Sequence, residues 1–335
     1  MRMEGWRIVF AEKERVEVRK EAIDPALGPT ELLCAAVCSL ISTGTELQCL
    51  KGVFDPDTNW SGWVKYPFHP GYSMVAEVLD TGPAVAGVRK GDRVFVEYPH
   101  AQYFKTEAKH AYVLPAEIGN EQGVFYNLAK TTQLGARRAE LRLGETVGVI
   151  GLGLLGQLVA RYAYLSGVKT LFAIDPAESR LALVPDRPGI RRLAVDAGSA
   201  REDIREHTGG GMLDVVFDVT GHPAVLAQAT RLVKPFGRVV LLGDTATPSK
   251  QEMGRNVVSH SVSILGIHAL AEFKGWTHAE MAGLFASYVV QGRMEVASLI
   301  THRLSPLAAA DAYGMLARDR GSAMGVLFDW TAIAE

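Results

Sequence analysis

Two patterns of hydrophobic and polar positions divide the chain. Residues 1–120 carry short apolar runs, many alternating with polar positions, at 6–10, 15–19, 32–39, 72–80 and 92–97. Gly, Pro, Asp or Lys bounds each run, and Gly82-Pro83, Gly87 and Lys90-Gly91-Asp92 punctuate them. That pattern predicts a β-rich domain. From about Gly123 the pattern changes to helix alternating with strand. A helix over 124–138 leads into a strand over 146–150. Further apolar strands are expected at 170–174, 192–195, 213–219, 237–243 and 262–267, with helices between them. Such alternation implies a parallel sheet with right-handed crossovers. A helix over 278–291 and a helix-plus-strand segment over 306–329 close the chain.

The sharpest local signal lies where the second pattern begins. An apolar run enters Gly151-x-Gly153-x-x-Gly156; a helical stretch, a second apolar run and Asp175 follow, the acid 19 residues past Gly156. Strand, glycine turn, helix, strand and acid in that order are the fingerprint of a dinucleotide-binding unit. Gly151 allows the tight turn, Gly153 lets backbone approach a pyrophosphate, and Gly156 lets helix and strand pack closely. The first amides of the helix, at Leu154 and Leu155, and its positive dipole end suit the phosphate charge. A carboxylate at Asp175 accepts hydrogen bonds from ribose hydroxyls and repels a 2′-phosphate, so NAD is expected over NADP. Arg180 is the nearest group that could weaken that preference, or it is an ordinary helix-surface charge.

Composition narrows the partners. The 335 residues suffice for about two domains, and 48% hydrophobic with 21% charged residues is usual for a soluble globular protein. A formal net charge of −2 gives no reason to expect nucleic acid or an anionic membrane as partner. No apolar run reaches the ~18 residues of a membrane span, and no signal-peptide core is visible. The three cysteines, Cys34, Cys38 and Cys49, form no C-x-x-C pair, as expected of reduced thiols in a cytoplasmic protein.

Several segments, in order, resemble the medium-chain dehydrogenase/reductase superfamily. They are P-G-Y-x-x-V-x-E-V at 70–78, G-D-R-V at 91–94 and the fingerprint at 151–156. F-D-V-T-G at 217–221, L-V-K-P-F-G-R-V-V-L-L-G at 232–243 and I-T-H-R-L at 300–304 with the Asp311-Ala312-Tyr313 helix complete the set. The resemblance implies an α/β fold. A GroES-like β domain, from residues 1–130 and 269–335, would carry an inserted doubly wound Rossmann domain at 131–268, with the active site in the cleft between. It also implies Thr220, Gly243 and His268 near the cofactor, although His268 also reads as a satisfied structural histidine. A homodimer is the expected assembly.

The departures from the family pattern point to chemistry without a metal. Zinc-dependent members hold the ion on a Cys in a G-I-C-G-x-D turn, on G-H-E and on a later Cys, Asp or Glu. Here Ser42 or Thr43 stands where the Cys would be, Gly71-Tyr72-Ser73 replaces G-H-E, and 125–130 offers Phe, Tyr, Asn, Leu, Ala and Lys. A zinc site needs three or four N, S or carboxylate ligands. The four-Cys structural zinc loop is missing, and His69, His100 and His110 lack ligand spacing. No metal is expected. The S-T-G-T-E turn resembles a subgroup that includes bacteriochlorophyllide hydroxyethyl dehydrogenases and related sugar dehydrogenases, although nothing here independently supports a pigment substrate.

Without zinc, other groups must hold the hydroxyl proton and steady a developing alkoxide. Lys130 is the leading candidate, as a base if desolvated, or as a lysine reaching for solvent if not. Tyr72 and Tyr126 are either donors to a carbonyl oxygen or tyrosines that fill the space zinc left. Ser42, Thr43 and Thr45 relay a proton or bond their own backbone, and Glu46 could orient Lys130 or a substrate hydroxyl. Asn59, Trp60 and Trp63 suit a polyhydroxylated ring, or they anchor a loop with two buried tryptophans. The expected function is NAD-dependent interconversion of a secondary alcohol and a ketone on a small cyclic polar substrate. An enoyl or quinone reductase and a non-catalytic NAD sensor are the alternatives.

Overall fold

The computed structural model describes residues 3–269, 272–319, 321 and 323–333. Arg320 and Ser322, within the expected closing segment, lie outside that set. The chain divides into two compact units. One comprises Met1–Asn127 and Ala282–Glu335, the other Leu128–Met281.

In the first unit, β1 (Met3–Glu12) and β2 (Arg15–Ile23) form a hairpin. Strand β3 (Glu31–Leu40) is followed by helices α1 (Thr43–Lys51) and α2 (Asn59–Trp63). Next come β4 (Met74–Thr81), β5 (Arg93–Val96), β6 (Tyr103–Glu107), β7 (Ala111–Val113) and α3 (Asn120–Gly123). The second unit contains α4 (Tyr126–Arg138, whose first two residues belong to the first unit), β8 (Thr146–Ile150), α5 (Leu154–Leu165), β9 (Thr170–Ile174) and α6 (Glu178–Leu181). It continues with β10 (Ile190–Leu193), α7 (Ala200–His207), β11 (Leu213–Asp218), α8 (Val225–Ala229), β12 (Val233–Leu241) and β13 (Ser263–Gly266). Helix α9 (His278–Val290) leads back to the first unit. There β14 (Ile300–Leu304), α10 (Ala309–Arg318) and β15 (Gly325–Asp329) complete the fold.

The first unit's main sheet runs β14-β15-β3-β4-β5-β7, and β6 pairs with β3. Strand β15 joins β3 antiparallel, Phe328 opposite Ser39, so the end of the chain is hydrogen-bonded into the sheet made by its beginning. Strands β6 and β7 were not expected from the hydrophobic pattern. β6 reads Tyr-Phe-Lys-Thr-Glu, with only Phe104 buried, so its apolar signal is weak. The S-T-G-T-E segment, expected as a turn, is the first turn of α1. Ser42 is its N-cap, and the Glu46 side chain reaches back to accept the Ser42 amide at 2.7 Å. The Ser42 side chain makes no capping bond of its own, so this contact from Glu46 supplies the helix start that Gly and Thr do not favour on propensity alone.

The second unit's sheet is parallel throughout, in the order β10-β9-β8-β11-β12-β13. This is the doubly wound arrangement with its switch point beside β8. Alternate residues of each strand face opposite sides. Val147, Val149, Val215, Phe217 and Val240 pack with Val159, Ala160 and Ala163 of α5. Val216 and Val239 pack with Ile204 of α7 and Leu226 of α8. Both faces are therefore covered, as buried parallel strands require. The second unit extends past the expected boundary at 268 because the stretch after β13 folds onto α4. The Arg137 guanidinium lies 3.3 Å from the Trp276 ring centroid, and the Gln133 amide donates to the Met281 carbonyl at 3.1 Å. Among the described residues no helix is long and apolar enough to cross a membrane.

All three cysteines are buried thiols. Burial pushes Cys34 up to about 12 and raises Cys38 and Cys49 as well. The native chain is expected to leave a colourimetric disulfide reagent unreacted at neutral pH, and the denatured chain to react at all three thiols. Rapid native reaction would show that one is accessible.

Candidate active site

The glycine turn is built by close backbone approach. Gly151 has φ +88°, and its amide donates to the Ile174 carbonyl at 2.9 Å. A Cβ on Gly156 would lie 1.9 Å from the Gly151 carbonyl oxygen, so no other residue lets α5 start this close to β8. A Cβ on Gly153 would meet nothing within 4 Å. Space therefore remains beside the turn where the first amides of α5, at Leu154 and Leu155, have no carbonyl to answer inside the helix. Tight packing at Gly156 with open space at Gly153 fits a pyrophosphate held at a helix start.

Asp175 directly follows β9 and is almost fully buried. One carboxylate oxygen accepts the Leu152 amide of the glycine turn at 2.8 Å, and the other accepts the Ala177 amide at 2.9 Å. A nitrogen of Arg180 lies 3.5 Å from the first of these oxygens. The carboxylate thus braces the turn, and Arg180 offsets part of its charge. Thr220 donates its amide and hydroxyl to Asp218, at 2.9 and 2.7 Å. The Gly243 amide meets the Asp218 carbonyl at 3.1 Å. Burial raises the Asp218 carboxyl, against the pull of the Thr220 donors. These groups converge at the end of β11 next to Gly151, whose absent Cβ would press on the Thr220 side chain. His268 is exposed, two residues beyond β13.

In the first unit, residues from the three segments that the resemblance matches to metal ligands do come together. The Tyr72 hydroxyl donates to the Ser42 hydroxyl oxygen, and the Asn127 side-chain amide donates to the Tyr72 carbonyl at 2.9 Å. The Thr45 hydroxyl also bonds the Tyr72 phenol. Burial raises the Tyr72 phenol well above its ordinary range, so it stays protonated. Ser73 is buried, and its hydroxyl donates to the Val124 carbonyl. Thr43, the first residue of α1, is half-buried. Among the described residues no three His, Cys, Asp or Glu side chains stand together so as to hold a metal ion. The hydroxyl and amide groups present here do not fit zinc.

Tyr126 is packed rather than open. Its ring stacks on Phe95 at 3.8 Å between centroids and lies 5.2 Å from Tyr112. Burial raises its phenol strongly. Lys130, one turn past Asn127 on α4, has no exposed surface, so it does not reach for solvent. Of the two loop tryptophans, only Trp60 is buried; Trp63 is 45% exposed and packs edge-on to Phe68. The Trp60 indole N–H is buried with no hydrogen-bond partner among the described residues. Asn59 is exposed at the start of α2.

Glu46, expected to orient Lys130 or a substrate hydroxyl, is buried and turns to other partners. Its two oxygens take the Ser42 amide, the Tyr313 hydroxyl and His100 Nε2, the last at 3.1 Å. His100 Nδ1 is 2.7 Å from the Ser39 hydroxyl, which also accepts from the Trp330 indole at 2.9 Å. His100 and Tyr313 were not singled out as site residues, because no local pattern announces a partnership across 54 or 267 positions.

A zinc-binding dehydrogenase family model matches residues 155–283, and an alcohol dehydrogenase GroES-like domain model matches residues 36–151. The chain belongs to the medium-chain dehydrogenase/reductase superfamily and is an oxidoreductase of the alcohol dehydrogenase type. It is 24% identical over 323 residues to the L-threonine 3-dehydrogenase of Bacillus velezensis, covering 85% of this chain and 88% of that one. Its fold is similar to that of 2R,3R-butanediol dehydrogenase from Bacillus subtilis, with TM-score 0.79 and 20% identity over 97% of this chain and 99% of the other. Galactitol-1-phosphate dehydrogenase from Escherichia coli gives TM-score 0.80 and 17% identity over the same shares.

Two glycine substitutions separate packing from ligand binding. Gly156→Ala forces a carbon against backbone and is expected to cost roughly 3 kcal/mol, the upper part of the overpacking range, by thermal or denaturant unfolding. Gly153→Ala is expected to leave stability within about 0.5 kcal/mol, as at an open surface position, yet to weaken NADH binding in a fluorescence titration. Unchanged NADH affinity in Gly153→Ala would mean that the phosphates lie elsewhere.

Proposed function

We propose that this chain interconverts a polar secondary alcohol and its ketone with NAD and without zinc. The observation that carries the reading is the linked set Ser42, Tyr72 and Asn127, drawn from the three segments where the family's zinc ligands fall. When bound, a nicotinamide dinucleotide takes or gives the hydride. The chain's own residues handle the proton. Tyr72, held as a phenol by burial, donates to the carbonyl oxygen of a ketone, and the Ser42 and Thr45 hydroxyls beside it return a proton. Lys130, desolvated on α4, is the acid/base at the end of that relay, supplying the proton in reduction and taking it back in oxidation. The buried Trp60 N–H offers a further donor to a polar substrate.

Asp175 supports NAD, and Arg180 limits the margin, because a guanidinium at 3.5 Å cancels part of the charge that would repel a 2′-phosphate. Solved proteins of this fold are found with NADP and with NADH, so the fold does not choose. The relatives' names point to hydroxy amino acids, diols and sugar alcohols, so open-chain substrates stand beside the cyclic ones expected from the loop.

Titrations with NADH and NADPH are expected to favour NADH by roughly tenfold, about 1.4 kcal/mol; tighter NADPH binding would move the reading toward an enoyl or quinone reductase. In a screen of polyols, cyclitols and hydroxy acids, Tyr72→Phe and Lys130→Met are each expected to keep NADH binding and lose turnover by roughly 100-fold, as loss of a proton-transfer group does. Full turnover in both variants would remove them from the mechanism. Because burial holds the Tyr72 phenol protonated, ketone reduction should show no loss from its ionisation between neutrality and its ordinary pKa of 10.0. A fall over that range that is absent in Tyr72→Phe would contradict this.

A further inference from the structure

We propose that Glu46, held by Tyr313 and His100, is a positioning residue for the Ser42–Tyr72 hydroxyl pair. Residues from the C-terminal part of the chain would then set the geometry of the proton-handling groups. This rests on the reading that the pair handles the proton.

The hydrogen-bond directions converge on one carboxylate. A carboxylate only accepts, so the Tyr313 hydroxyl and His100 Nε2 both donate to it, as does the Ser42 amide. His100 Nδ1 is then left to accept from the Ser39 hydroxyl, whose oxygen already accepts from the Trp330 indole. The donors run one way, from Trp330 through Ser39 and His100 to Glu46. Every member is buried, and burial followed by the Glu46 charge raises the Tyr313 phenol, which keeps it a donor.

The network reaches the hydroxyl pair from two sides. Through the Ser42 amide, Glu46 fixes the backbone that aims the Ser42 hydroxyl at Tyr72. Through His100 it fixes the turn that carries Tyr72. The His100 amide donates to the Pro70 carbonyl at 2.8 Å. Gly71 has φ +98°, and a Cβ there would lie 2.7 Å from the His100 ring. The ring that anchors Glu46 therefore also seats the residue next to Tyr72. Neither Glu46 nor Tyr313 needs to touch substrate to matter. Their loss would loosen both ends of one hydrogen bond.

The test compares Tyr313→Phe and Glu46→Gln with the wild-type full-length chain. The first removes one oxygen atom, and the second removes the charge and keeps the shape. Tyrosine labelled at the phenolic carbon reports Tyr72 by NMR, assigned with Tyr72→Phe. Tyr66→Phe, which removes a separate bond to the Cys49 carbonyl, is the control. Thermal unfolding and NADH affinity establish that each variant is folded.

The Tyr72 resonance is expected to move in Tyr313→Phe and Glu46→Gln and to stay in Tyr66→Phe. With an alcohol the wild type turns over, kcat should fall roughly 10–100-fold, the range that partners of site residues carry, with KM for NAD unchanged. A Tyr72 resonance at its wild-type position in both folded variants overturns the proposal, as does unchanged kcat. A wild-type chain that turns over no alcohol counts against the functional reading alone, and the resonance comparison still decides whether Glu46 positions Tyr72.

Discussion

The first unit is organised by one buried carboxylate. Taking a charge out of water is costly unless hydrogen bonds replace the lost hydration. Glu46 has three donors within the protein: the amide of Ser42, the hydroxyl of Tyr313 and the ring of His100. Charge-assisted bonds of this kind are the strong ones. They also constrain, because a carboxylate satisfied by its own helix start and by two distant segments holds all three in place. Tyr313 comes from α10 and Trp330 from just beyond β15, both near the end of the chain, while Ser39 and Ser42 come from its beginning. Backbone pairing of β15 with β3 and the side-chain network on Glu46 thus close the same seam.

The second unit depends on a different constraint, the approach of backbone to backbone at Gly156. Helix α5 begins against the Gly151 carbonyl, and Asp175 ties the turn to the end of β9. In the proposed function the same carboxylate also recognises the cofactor. Its burial and its contact with Arg180 make it a weaker discriminator than its position in the sequence alone suggests. Bracing and specificity draw on the same two oxygens.

What was legible in the sequence was local. β8 and β9 begin and end where the apolar runs do, because parallel strands buried on both faces carry an unbroken hydrophobic signal. The glycine fingerprint was legible because each glycine answers a neighbour within a few residues. The start of α1 was not, since Ser-Thr-Gly-Thr-Glu favours a turn until the Glu46 side chain reaches back to cap it. The departures from the metal-ligand pattern could be read from Ser42 and Tyr72. Their hydrogen bond, 30 positions apart, could not. Nor could the inward turn of Glu46, since partners that far along the chain meet only in the folded sheet. Tyr126 shows the reverse. A tyrosine at a ligand-like position is packed against Phe95, and only its neighbours in space show that.

The claim that hydroxyl groups have taken over from a metal ion is tested most directly by turnover against zinc content. The purified chain is stripped with a strong chelator, its residual zinc is measured by mass spectrometry, and NADH formation is followed with an alcohol that the untreated protein oxidises. The account predicts an unchanged rate at zinc far below one ion per chain. A rate that falls with zinc and returns when zinc is added back would contradict it.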